Sequence, residues 1–235
     1  MQFVDFHSHM LCGIDDGSSS VEQSLAMIET SAAQGAEHIV LSPHFYAKND
    51  DPVSFINRRN RRFERLCQAL PKNAPQLHLG AEVAYFEGMT QVDALKDMRI
   101  GSSKCLLVEM PFFEWTGRIL SDIYSLNRKK DFQVVLAHFE RYLSFVPMRT
   151  IDEIISNGVI LQSNAECFEK LMSRRRFLKL FRNGYIGVIG SDAHNMSDRA
   201  PNVGKALDYI SKKCGEESVL EMYEFSKRLL AEDAV

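Results

Sequence analysis

Residues 2–9 read QFVDFHSH, a run of β-branched and aromatic residues that alternates with polar ones and closes on two histidines. Alternate residues of a strand share a face, so Asp5, His7 and His9 are expected on one side, the two imidazoles about 7 Å apart along the chain. Both can then grip one cation. Six further apolar runs follow: HIVLSPH (38–44), LHLGAEVA (77–84), CLLVEMP (105–111), QVVLAHF (133–139), VILQSN (159–164) and IGVIGSDAH (186–194). Seven strands are expected. Six of the seven close on residues able to bind a metal or hold a charge: His7 and His9, His44, Glu82, Glu109, His138, then Asp192 and His194.

Amphipathic stretches separate the strands. The clearest runs from Val21 to Gln34, with Val21, Leu25, Ile28 and Ala32 on one stripe and Gly35 as the stop. Helices are also expected over Val53–Leu70, Arg118–Lys130, Ile151–Asn157, Phe168–Arg182, Val203–Lys213 and Glu216–Ala231. This βαβα rhythm predicts an α/β fold with a parallel sheet or barrel, and 235 residues fit one domain over 1–235. In a (βα) barrel the functional groups stand at the C-terminal ends of many strands and meet at one rim.

Composition narrows the function. A formal net charge of −3 disfavours nucleic acid as a partner. No basic segment followed by an apolar one opens the chain, and no run approaches a membrane span, so a cytoplasmic protein without membrane insertion is expected. The five cysteines, Cys12, Cys67, Cys105, Cys167 and Cys214, lack CxxC spacing and read as free thiols. None has an arginine six residues later, the spacing used by cysteine-nucleophile phosphatases.

The mixed cluster carries its own chemistry. Carboxylates such as Glu82, Glu109 and Asp192 can bridge two ions whereas an imidazole usually terminates one, so two or three divalent cations are expected. Oxygen and nitrogen donors without thiolate suit Mn²⁺, Fe²⁺ or Zn²⁺. Water bridging two ions about 3.5–4 Å apart becomes a hydroxide near neutral pH, and hydrolysis of a phosphate ester by its attack on phosphorus follows.

The ordered motifs HSH, DDG, PH, GAE, VEMP, HFERY and SDAH, spanning residues 3 to about 210, resemble the polymerase-and-histidinol-phosphatase (PHP) superfamily. Within it the chain looks like the manganese-dependent tyrosine phosphatases of capsule and exopolysaccharide operons, the CpsB/YwqE type. The resemblance implies a distorted (βα)7 TIM-like barrel and a three-metal site. His7, His9, Glu109 and Asp192 would hold one ion, Glu82, Glu109 and His138 a second, and Asp16, His44 and His194 the third. Asp16 rather than Asp15 is the implied ligand of the DDG motif, and Arg141 and Arg199 match the arginines that face the substrate phosphate. Mn²⁺ is the implied metal, and the implied substrate is a phosphotyrosine protein, the tail of a membrane-associated bacterial tyrosine kinase. A homo-oligomer is also implied. Phe139 stands where the family usually has proline in HFERY, and Met110 where phenylalanine is common in VEMP; both leave the ligands intact and bear on substrate fit.

Competing readings remain open. A small-molecule PHP phosphatase, for example on histidinol phosphate, would share the site, and a regulatory module would bind metal without turnover. Asp5 reads equally as an orienter of a ligand imidazole or as a buried hydrogen-bonded carboxylate. His78 reads as buried structure and His38 as structural. Arg58, Arg59, Arg61, Arg62 and Arg65 go round one helix and read as a solvated or oligomer-facing surface, as does Arg174–Arg176. Phe112, Phe113 and Trp115 follow Glu109 and either line the site mouth or pack an ordinary loop.

Overall fold

Every apolar run forms strand, but two of the seven are broken in the middle. The computed structural model describes residues 1–231; the last four residues of the single domain expected over 1–235 lie outside the described residues. Its strands are β1 (Phe3–Ser8), β2 (Ala36–Leu41), β3 (His44–Phe45), β4 (Gln76–Leu79), β5 (Glu82–Ala84), β6 (Cys105–Glu109), β7 (Gln133–Leu136), β8 (Ile160–Asn164) and β9 (Val188–Gly190). All pairs are parallel, in the orders β1-β2-β4 and β3-β5-β6-β7-β8-β9.

The breaks have local causes. Pro43 has no N–H for a ladder and separates β2 from β3. Gly80 separates β4 from β5; its N–H donates to Leu41 O (2.8 Å), and its carbonyl accepts from Arg59 Nη1 (3.0 Å). Arg59 is therefore buried and structural, a correction to the solvated reading of the arginine run, while Arg58 pairs with Asp50.

The two sheets form one curl. At the far seam Asp192 N donates to His7 O (2.8 Å) and His9 N to Ala193 O (2.9 Å), with a parallel bridge between Ser8 and Ala193. Gly190 makes this approach possible, since a Cβ there would stand 2.5 Å from His7 Cβ and 2.8 Å from His7 N. The register of β1 on β2 slips between Asp5 and Ser8. Phe6 can therefore join an inner cluster with Leu107, Val135, Ala137 and Val188, although His7, one residue on, enters the functional rim.

The helices are α1 (Val21–Ala33), α2 (Pro52–Ala69), α3 (Gly117–Asn127), α4 (Met148–Ser156), α5 (Glu166–Glu169), α6 (Arg174–Arg182), α7 (Val203–Cys214) and α8 (Glu216–Leu230). Ser20, Asp51 and Thr116 cap the first three through side-chain acceptors. The single helix expected over Phe168–Arg182 is split into α5 and α6; Ser173 Oγ donates back to Cys167 O (2.9 Å), and Leu171 and Met172 are exposed in the turn. α8 contributes Tyr223, Leu229 and Leu230 to the inner cluster. Among the described residues no helix is long and apolar enough to cross a membrane.

Gly190→Ala is expected to destabilise the chain by about 1–3 kcal/mol, the usual cost of overpacking. Urea denaturation checks this, and an unchanged midpoint would contradict the close seam between β9 and β1.

Candidate active site

The strand ends converge. His7, His9 and Glu82 are fully buried, and His138, Asp192 and His194 nearly so. His7 Nε2 lies 3.0 Å from His9 Nε2 and 3.3 Å from Glu82 Oε2. His9 Nε2 is 3.3 Å from Glu82 Oε2 and 3.4 Å from Asp192 Oδ1. His138 Nε2 sits 2.8 Å from Glu82 Oε1 and 3.4 Å from Glu109 Oε1. Asp16, with a side chain 69% exposed, reaches in from the rim, its Oδ1 3.5 Å from His194 Nε2 and 3.7 Å from His44 Nε2.

Three sets of donors lie within 4.8 Å of one another: His9, Asp16, His44 and His194; His7, His9 and Glu82; and His44, Glu82 and Glu109. The first contains the trio Asp16, His44 and His194 expected from the sequence. In the second, Glu82 rather than Glu109 stands beside His7 and His9. Within this pocket Glu82 Oε2, His44 Nδ1 and His194 Nε2 are buried with no hydrogen-bond partner. Glu82 Oε2 and His44 Nδ1 are only 2.9 Å apart without bonding geometry. Buried polar atoms are normally satisfied, so unsatisfied atoms on residues that belong to these overlapping donor sets fit divalent cations.

Four of the five imidazoles, His7, His9, His138 and His194, have an orienting partner on Nδ1. Asp15 Oδ2 accepts from His9 Nδ1 (2.7 Å), which turns Nε2 inward, and also from His44 N (2.9 Å), while Oδ1 accepts from Gly17 N (3.0 Å). The adjacent aspartates thus divide: Asp15 holds the loop and His9, and Asp16 faces the donors. Gln162 Oε1 lies 3.0 Å from His7 Nδ1, and Tyr142 Oη is 3.3 Å from His138 Nδ1. Neither Gln162 nor Tyr142 is among the residues expected from the sequence; the available signal was the inward period of Gln162 and Asn164 on β8. Asp5 is resolved: its Oδ1 accepts from Ser191 N (2.8 Å), so it is a buried hydrogen-bonded carboxylate, and burial raises its pKa to about 6.

Burial alone would drive Glu82 toward its neutral form, but His7, His138 and His44 outweigh it and hold the pKa well below the usual range. Asp192 is similar: burial opposes its charge, and His7 and His9 overcome it. Burial likewise opposes charge on His138, yet its bonds to Glu109 and Glu82 bring its pKa to about 9. His194 is pushed down to about 4 by burial and by His9.

At the rim Arg141 Nη2 contacts Asp192 Oδ2 (2.6 Å) and Arg199 Nη2 contacts Asp192 Oδ1 (2.8 Å). Both guanidiniums are partly exposed beside the donor cluster. Phe139 is fully buried against Phe177, and the turn Phe139–Tyr142 still delivers Arg141 to the rim. The aromatic trio divides. Trp115 is buried, donates to Pro111 O (2.9 Å) and packs on Tyr142, whereas Phe112 and Phe113 are 52% and 55% exposed and Phe112 stacks over His138. Beside Glu109 they bound a cavity of about 320 Å³ with Tyr85, Phe86 and Met110. His38 and His78 stand outside the site, half-buried and 3.0 Å from each other; His78 is therefore less buried than its strand position suggested.

Asp15→Ala leaves three donors without their acceptor and is expected to destabilise the metal-free chain by about 1–3 kcal/mol. Asp16→Ala is expected to change stability by less than about 0.5 kcal/mol. Equal losses in urea denaturation would contradict this division of roles.

Residues 3–230 match the family model described as capsular polysaccharide synthesis, CpsB/CapC. Tyrosine-protein phosphatase CpsB of Streptococcus agalactiae is 28% identical over 242 residues, covering 94% of each chain. Tyrosine-protein phosphatase YwqE of Bacillus subtilis is 24% identical, covering 99% of this chain and 93% of its own. The crystal structures of YwqE from Bacillus subtilis and CpsB from Streptococcus pneumoniae, described as unique metal-dependent tyrosine phosphatases, include a chain that superposes with a TM-score of 0.82 at 23% identity, covering 97% of this chain and 94% of that one. With the family model spanning almost its whole described length, this chain belongs to the CpsB/CapC family of capsular polysaccharide synthesis.

Proposed function

We propose that this chain is a divalent-cation-dependent phosphomonoesterase that removes phosphate from phosphotyrosine in a protein. His7, His9, Asp16, His44, Glu82, Glu109, His138, Asp192 and His194 serve as ligands to two or three ions, and Arg141 and Arg199 as the phosphate clamp. The observation that carries the reading is the meeting of unpaired donors, Glu82 Oε2, His44 Nδ1 and His194 Nε2, next to two arginines. The donor set favours Mn²⁺, with Fe²⁺ and Zn²⁺ as substitutes. Bound there, divalent ions supply Lewis acidity toward phosphoryl oxygen and activate water for attack on phosphorus.

The chain's own groups do the rest. Asp15 and Gln162 hold His9 and His7 with Nε2 turned inward. Arg141 and Arg199 bind the phosphoryl oxygens, orient the ester and neutralise charge as the transition state spreads it. Phe112, Phe113, Tyr85 and Phe86 offer an apolar wall for a phenyl ring beside Glu109. An open mouth of this kind favours a protein segment over a small metabolite. The relatives named tyrosine-protein phosphatases support the same substrate class. We take the physiological substrate to be the phosphotyrosine tail of a membrane-associated bacterial tyrosine kinase governing capsule or exopolysaccharide synthesis. We further place the protein in the cytoplasm as a homo-oligomer of single-domain chains over 1–235, each a distorted (βα)7 barrel if β2 with β3 and β4 with β5 count as single staves.

Turnover of a phosphotyrosine peptide is expected to vanish on chelation, return with Mn²⁺ and fail in His194→Ala. Faster turnover of histidinol phosphate would replace the substrate, and no turnover of either with metal bound would leave a regulatory module. Arg141→Ala and Arg199→Ala should each lower kcat/KM by about 100-fold or more. Phe112→Ala should raise KM for the peptide by roughly 2–10-fold, the worth of one aromatic contact, without a matching effect on a small alkyl phosphate.

A further inference from the structure

Of the seven apolar runs, the one that forms β8 ends without an ionisable ligand, yet its two inward amides touch His7, His138 and Asp192. We propose that Gln162 and Asn164 are positioning residues that fix the tautomer of His7 and the rotation of the Asp192 carboxylate. The inference rests on the ligand reading above.

The directions of the hydrogen bonds follow from one unambiguous donor. The backbone N–H of His138 points at the Gln162 side chain, 2.7 Å from Oε1, so that atom must be the amide oxygen. His7 Nδ1 lies 3.0 Å from the same oxygen and must therefore carry a proton, so that in the neutral imidazole Nε2 is the lone pair facing His9 and Glu82. Gln162 Nε2 then donates to Asn164 Oδ1 (3.0 Å), and Asn164 Nδ2 has to donate onward to Asp192 Oδ2 (2.9 Å). With Oδ2 held by Asn164 and Arg141, Asp192 Oδ1 is the oxygen turned toward His7 and His9. Glu140 accepts from Asn164 N (3.2 and 3.3 Å) and anchors the backbone of the relay.

Backbone conformation marks the same two endpoints. Among the described residues His138 (φ 32°) and Asp192 (φ 52°) are the non-glycine residues in the left-handed region. Such conformations persist only where surroundings over-determine them. The relay supplies a bond to each, at the His138 N–H and at the Asp192 carboxylate.

Imidazole ¹⁵N NMR of the full-length metal-stripped chain at pH 8, with His7 assigned by His7→Gln, reads the tautomer directly. Isothermal titration with Mn²⁺ reads the ligand set. The wild type should show His7 protonated on Nδ1. Gln162→Leu should lose that preference and bind Mn²⁺ 10–100-fold more weakly. Gln162→Glu should restore the tautomer, because a carboxylate accepts from both donors. Asn164→Ala should keep the tautomer and weaken Mn²⁺ alone. A packing role ranks the variants the other way, tolerating leucine and rejecting a buried extra charge. If Gln162→Leu does not fold, Gln162→Asn, which withdraws the oxygen, takes its place. An unchanged His7 tautomer in the variant lacking the acceptor overturns the proposal. A wild type that takes up no Mn²⁺ overturns the ligand reading instead, since the tautomer is read without metal.

Discussion

A fully buried carboxylate is among the costlier groups a protein can contain, and Glu82 is one, ringed by His7, His9, His44 and His138. The rest of the molecule serves that arrangement. Its position on β5 depends on the break at Gly80, which Arg59 stabilises from α2. The imidazoles arrive from β1, from β3 and from the turn after β7, and the seam of β9 on β1 brings Asp192 and His194 beside His9. Pairing with imidazoles offsets part of the burial cost, but Glu82 Oε2 keeps an unspent lone pair. A binding function follows from that imbalance more directly than from any single motif.

The rim was legible in the sequence because strand ends are legible. Six apolar runs closing on histidine or carboxylate foretold a shared edge, and those side chains do meet. The parallel curled sheet followed from the βαβα alternation. What escaped was set by contacts across the fold. Proline and glycine marked the strand breaks locally, but the reward for breaking there, Arg59 reaching the Gly80 carbonyl, lies in tertiary structure. The bulge in β1 upset a simple period-two reading, so Asp5 holds the Ser191 backbone instead of an imidazole. Asp15 and Asp16 are chemically identical neighbours, and only the turn geometry separates them.

Neutral groups were the hardest to read. Gln162, Asn164 and Tyr142 look like ordinary strand and turn residues, and their effect depends on partners 155, 28 and 4 residues away. Trp115 and Phe112 are three residues apart, yet one fills the core against Tyr142 and the other is exposed over His138. Residue type set the chemistry available to the site, and packing decided which residue used it.

On this reading the converging donors bind more than one divalent cation. Anomalous diffraction from Mn²⁺-loaded crystals at the manganese edge tests it most directly. At least two peaks are expected among His7, His9, His44, Glu82, Glu109, His138, Asp192 and His194, with one near Asp16. A single peak, wherever it lies, or none at saturating Mn²⁺, would contradict it.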